Sequence, residues 1–140
     1  GNATTTVPML NKYVESSVRG MEDGLYAYFA HPDLFMRSYP LFDENAVAAS
    51  REICRAAKRL GMPLEYNLAG MIFNRATGIE GYPHNKFWEI AAAEGCTAIV
   101  GVDAHDNRHF AEEGIRSAAE QLLRKLGMPL IDTIPFLTEV

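Results

Sequence analysis

Apolar positions recur at two different spacings along these 140 residues, and the switching between them outlines an α/β chain. Pro8 to Arg19 carries Leu10, Tyr13, Val14 and Val18 at helical spacing, with Gly20 and Gly24 punctuating its end. Leu25 to Ala30 (LYAYFA) is apolar, aromatic and too short for a stable helix, which predicts a buried strand that His31-Pro32 ends. Asp43 stands where it caps an alanine-rich helix running to Leu60, and Gly61 terminates it. A second strand is expected from Pro63 through LEYNLAG, then a glycine-containing loop from Gly70 to Gly81. Pro83 or His84 opens a helix through Glu94, closed by Gly95. Cys96 to Val102 (CTAIVGV) predicts a third strand, Phe110 to Leu126 a last helix closed by Gly127, and Leu130 to Ile134 a further strand.

One segment echoes another. RAAKRLGMPLEYN and EQLLRKLGMPLIDT both read as a helix, a glycine stop and a Met-Pro-Leu turn into a strand. Two such units suit a barrel or a layered α/β sheet, and strands separated by helices imply parallel pairing. A closed parallel barrel takes about eight strands, so three or four leave open edges. Residues 1–140 therefore read either as a small open sheet or as one part of a larger single domain, able to self-associate through its exposed sheet edges.

Eighteen acidic against 13 basic residues give a formal charge of −5, the wrong balance for neutralising a nucleic-acid backbone. Small phosphorylated substrates remain compatible with it if metal ions supply the positive charge. No apolar run reaches the roughly 20 residues of a membrane helix. Gly1-Asn2-Ala3 reads as a tag or frayed end rather than a signal peptide, so the expected compartment is the cytoplasm. Cys54 and Cys96 are far apart and in no metal-binding spacing, which predicts small buried hydrophobes.

Three polar groups end apolar strands, where parallel α/β architectures place their active face: His31-Pro32-Asp33, Glu65 with Asn67, and Asp103-Ala104-His105. Asp103 and His105 present an oxygen and an imidazole two residues apart, a mixed ligation suited to Zn, Mn or Fe. The bland alternative is an aspartate cap beside an exposed histidine. Alone, a histidine such as His31 is more often a structural residue than a ligand, and Asp33 reads as a cap on the following turn. Glu65 and Asn67 share a face, which is either a barrel interior in need of partners or the solvated side of an edge strand. Arg75 and Arg108 are placed in loops, where a guanidinium can clamp a phosphate or simply meet water. His84 and His109 read as helix-start or surface residues, and Phe87, Trp88 and Ile90 as a core stripe.

Taken in order, YFAHPDLFMRSYP, LEYNLAG, Tyr82-Pro83 and GCTAIVGVDAHD make the chain resemble the polymerase-and-histidinol-phosphatase (PHP) superfamily, most closely its histidinol-phosphatase branch. The resemblance implies the C-terminal part of a distorted, TIM-like β/α barrel of about seven strands. It also implies a cluster of two or three divalent ions, with His31, Asp103 and His105 as ligands. The family's early histidine motifs are not found in these residues, so a longer parent is expected to hold the complete site and this portion alone to be inactive. In the parent, a water whose pKa the cations lower would attack phosphorus in line with the ester oxygen. Catalytic roles are then expected for Asp103, His105 and Asp33, the last as a candidate proton donor, and substrate contacts for Asn67, Arg75 and Arg108. L-histidinol phosphate, in histidine biosynthesis, is the implied substrate. The competing readings are a PHP phosphodiesterase or exonuclease acting on nucleotides and a non-catalytic PHP-like module.

Overall fold

Thr6 turns its hydroxyl back to accept the Met9 N–H at 3.3 Å, and helix α1 (Val7–Glu22) starts there. This is seen in a computed structural model of the chain, which describes residues 6–24, 27–37, 39, 42–101 and 109–131. Leu10, Val14, Ser17 and Met21 form the buried stripe of α1, which lies against α2 (Glu44–Leu60). Asp43 caps α2 by accepting the N–H groups of Asn45 and Ala46, each at 3.0 Å. The buried face of α2 is built from Ala46, Ala49, Ser50, Ile53, Cys54, Ala56 and Ala57, small enough for α1 and for the later helix over Asn85–Ala93 to approach closely.

The helix-to-strand echo is a repeated backbone device. At the end of α2, Gly61 takes φ 66°, and the Met62 N–H reaches back to the Ala57 carbonyl at 2.8 Å. Helix α5 (His109–Lys125) ends in the same way, with Gly127 at φ 82° and Met128 bonded to Leu123 at 3.1 Å. Only glycine adopts this left-handed turn without strain, and it releases the chain directly into the sheet. The end of α4 (Asn85–Ala93) repeats the arrangement through the Cys96 N–H and the Ala91 carbonyl at 3.0 Å.

These junctions feed β1 (Leu64–Asn67), β2 (Ala98–Gly101) and β3 (Leu130–Ile131), a three-stranded parallel sheet in that order. Leu64 pairs with Ala98, Glu65 with Ile99 and Asn67 with Gly101, while Ala98 also pairs with Leu130. Phe29 adds a single parallel bridge to Leu64 on the outer side of β1. Leu64, Tyr66, Ala98 and Val100 face the helices and join Ile53, Ala57, Phe87, Trp88 and Leu123 in one core. Alternation puts Glu65, Asn67, Ile99 and Gly101 on the opposite face. The protein is thus a mixed α/β structure, and among the described residues no helix is long and apolar enough to cross a membrane.

Two expected elements are corrected. The strand over Leu25 to Ala30 reduces, among the described residues, to the bridge at Phe29 (Leu25 and Tyr26 lie outside them). The chain bends at once into a turn, with the His31 N–H on the Phe29 carbonyl at 3.0 Å. The loop over 70–81 is instead mostly helix: α3 (Leu68–Thr77) follows β1 without a break because Asn67 caps it, accepting the Gly70 N–H at 2.9 Å. Arg75 accordingly sits in the last turn of α3 rather than in a loop. Cys54 and Cys96 are free and buried, and the Cys96 thiol donates to the Cys54 carbonyl at 3.2 Å.

Candidate functional site

Parallel strands end on the same side, so the C-terminal rim of this sheet gathers whatever follows Phe29, β1 and β2. Beyond Phe29 comes His31, at φ 61° the one non-glycine residue with positive φ among the described residues. Side chains tolerate this region at a cost, and residues held there mark positions that the surroundings over-determine. The Leu34 N–H closes the turn on the His31 carbonyl at 3.3 Å. The imidazole is half-buried, and the Tyr82 ring lies 6.0 Å away, tilted by 54°. A cavity of about 260 Å3 opens beside it, lined by Tyr13, Ser16, Ser17, Phe29 and Leu34.

On β1, Glu65 is buried, and the Asn67 amide donates to its carboxylate at 3.1 Å. The other end of that amide is committed to capping α3. The solvated-edge alternative for this pair therefore fails, because β1 runs between the Phe29 bridge and β2 and Glu65 is enclosed. Gly101, diagonal to Glu65 on the same face, is required by packing: a Cβ there would run into the Glu65 carboxylate. Burial raises the Tyr28 pKa, and the charge of Glu65 adds to it. A carboxylate and a phenol thus sit near each other on this side of the sheet.

Asp33 does not cap its local turn. Its carboxylate is 1% exposed and accepts the His84 N–H at 2.6 Å and the Trp88 indole N–H at 3.1 Å. These bonds lock the 31–34 turn to the start of α4. Burial pushes the Asp33 pKa up to about 7 against the opposing pull of its donors. His84 is the cap of α4, with Nδ1 accepting the Lys86 N–H at 3.3 Å and its ring stacked 4.9 Å from Phe42. Burial lowers its pKa, consistent with a neutral imidazole accepting at Nδ1. The neighbouring Tyr82–Pro83 peptide is cis.

Arg75 is exposed and borders an open groove of about 300 Å3 with Tyr66, Asn74, Glu80 and Asn85. Asp103, His105 and Arg108 lie outside the described residues, and so does their distance from His31. Among the described residues, no three His, Cys, Asp or Glu side chains cluster as a metal centre. The His31 imidazole is half-buried at this rim, and the Glu65 carboxylate is enclosed beside Asn67. The tie from Asp33 to His84 and Trp88 and the seat of Tyr82 beside His31 had no signal in the residue pattern beyond the Tyr-Pro pair itself. Compared with family models, curated proteins and solved structures, the chain finds no match in any of the three.

Proposed function

We propose that this chain is the C-terminal part of a TIM-like β/α barrel of the PHP type and that it serves a metal-dependent phosphoesterase, acting on a small phosphomonoester such as L-histidinol phosphate. One observation carries the reading: polar groups are in phase at neighbouring strand ends. His31 follows Phe29, Glu65 and Asn67 end β1, and β2 ends at Gly101, two residues ahead of Asp103 in the sequence. His31, Asp103 and His105 are the residues that would hold divalent cations such as Zn, Mn or Fe. When bound, such ions supply positive charge and a water of lowered pKa.

The other residues act around that centre. Asn67 orients the Glu65 carboxylate and joins β1 to α3. Arg75 and Arg108 contribute guanidinium groups to an anionic substrate. Asp33, enclosed and bonded to His84 and Trp88, acts by fixing the turn that presents His31. A half-buried imidazole on a rigid turn loses little entropy on ligation.

Metal content after equilibrium dialysis against Zn or Mn tests the assignment. His31→Ala and Asp103→Asn should each weaken binding by more than the roughly 10- to 100-fold that follows removal of a group merely supporting a ligand. In the longer parent, phosphate release from L-histidinol phosphate, set against cleavage of a nucleotide diester, separates the monoesterase from a diesterase. Metal content indifferent to both substitutions would end the proposal.

A further inference from the structure

Neither of the chain's two cysteines belongs to the proposed metal centre, yet the fold brings them together from 42 positions apart. Cys54 lies on the buried face of α2. Cys96 follows the glycine turn that leads from α4 into β2, with its N–H on the Ala91 carbonyl at 3.0 Å. Its thiol donates to the Cys54 carbonyl at 3.2 Å. Backbone bond lengths put a carbonyl oxygen about 2.4 Å from its own Cα, so the Cys96 sulfur lies within about 6 Å of the Cys54 Cα. Disulfides bridge Cα atoms about 4.4–6.8 Å apart, so that sulfur already stands in the space such a bond occupies.

The same seam is fastened beside the thiols. Arg55, the next residue of α2, pairs with Glu94 at 3.2 Å. The Lys58 side chain, one turn further on, lies 3.4 Å from where a Gly95 Cβ would stand. Residues 94, 95 and 96 thus each meet α2, and these contacts hold the two sulfurs in register. Both cysteines are buried. Contact with the Cys54 thiol lowers the Cys96 pKa, while contact with Cys96, and then burial, raises that of Cys54. Cys96 is the better thiolate and Cys54 the thiol that keeps its proton, the division that an attacking and a resolving cysteine require.

We propose that Cys54 and Cys96 form a peroxide-modified site, converted in the folded chain to a disulfide that staples α2 to the entry of β2. The Cys96 thiolate attacks one oxygen of hydrogen peroxide, the O–O bond breaks, and the departing hydroxide takes up the proton that Cys96 released. Cys96 is then a sulfenic acid. The Cys54 sulfur displaces its oxygen to form the S–S bond, and that oxygen leaves as water with the Cys54 proton. Two thiols give up two electrons, and one peroxide becomes two waters. Peroxide is little larger than water, so a small opening at the Gly95 turn admits it, and the frequency of that opening limits the rate. Cys96 stands at the opposite end of β2 from Gly101, so the disulfide stiffens the frame without reaching the rim. The proposal is independent of the phosphoesterase reading, and either can fail without the other.

Equilibration in mixtures of reduced and oxidised glutathione, followed by acid quench and mass spectrometry of the linked peptides, tests the fit. Folding has already closed the loop between the two cysteines, whereas the unfolded chain must close it to form the bond. The folded chain should therefore keep the disulfide in buffer at least about tenfold more reducing than the same chain in concentrated urea does. A folded chain that holds it no better than the unfolded one would overturn the proposal. Peroxide in native buffer should link Cys54 to Cys96 within one chain. Links between chains, or two thiols that still titrate after unfolding, would overturn it equally. Dimedone added with the peroxide should label Cys96 in a Cys54→Ala chain. Labelling of Cys54 in a Cys96→Ala chain instead, or of neither, would overturn the assignment of Cys96 as the attacking thiol.

Discussion

Replacing Asp33 with asparagine should flatten the dependence of stability on pH between about pH 4 and 7. The Asp33 carboxyl is enclosed among the core residues and takes two N–H donors, from His84 at 2.6 Å and Trp88 at 3.1 Å. Burial outweighs those donors and raises its pKa from 3.8 to about 7. Between the two values the folded chain holds a proton that the unfolded chain has released. Its contribution is therefore fully present below the unfolded pKa and is lost as pH rises through the folded one. Three pKa units correspond to on the order of 4 kcal/mol at about 1.36 kcal/mol per unit. The asparagine amide keeps a carbonyl oxygen for the donors and has no proton to lose. Standing in for the neutral carboxyl, the variant should lie close to the wild type below about pH 4 and gain on it steadily as pH rises toward about 7. Urea midpoints followed by circular dichroism, with a chelator present so that bound metal adds nothing, give the comparison. Parallel pH profiles for the two chains would refute the reasoning, because they would mean that Asp33 is ionised in the folded state.

Two further substitutions probe the rim. Gly101→Ala should destabilise the chain by about 1–3 kcal/mol, since its Cβ runs into the Glu65 carboxylate. Glu65→Ala in the same chain should recover part of that loss, and additive penalties in the double variant would show that the two residues do not press on each other. His31→Gly should raise stability by about 1 kcal/mol by relieving the positive φ, while removing the proposed ligand. A thermal melt and a metal-content measurement on one preparation test both halves. A lowered melting temperature would mean that the imidazole supports the turn.

What the residue pattern discloses depends on how far apart the interacting groups lie. Helix α2 was legible from Asp43 to Gly61 because cap, buried stripe and stop all fall within one window of sequence. The Leu-Gly-Met-Pro-Leu echo likewise predicted two helix-to-strand junctions, and the third, expected at Gly95 from the glycine stop alone, proves to use the same turn although its sequence differs. Helix α3 was missed because Asn67 serves at once as the last residue of β1 and the cap of the helix, leaving no gap to mark the change. The glycine at position 70 then suggested a loop. It is there because a Cβ would strike the Tyr82 carbonyl.

The candidate site divides along the same line. A polar residue at the end of an apolar run is conspicuous, so His31 could be singled out from its immediate neighbours. Whether such a residue faces a ligand or holds the frame is set by contacts with distant parts of the chain. His31 and Asp33 stand two apart on one turn and have opposite surroundings: the imidazole lies beside an open cavity, and the carboxylate is sealed against groups 51 and 55 residues away. The distinction matters chemically, since a carboxylate without solvent or substrate access cannot deliver a proton to a leaving group, however well its pKa suits the task. Its effect on any reaction at this rim must pass through the position it gives His31.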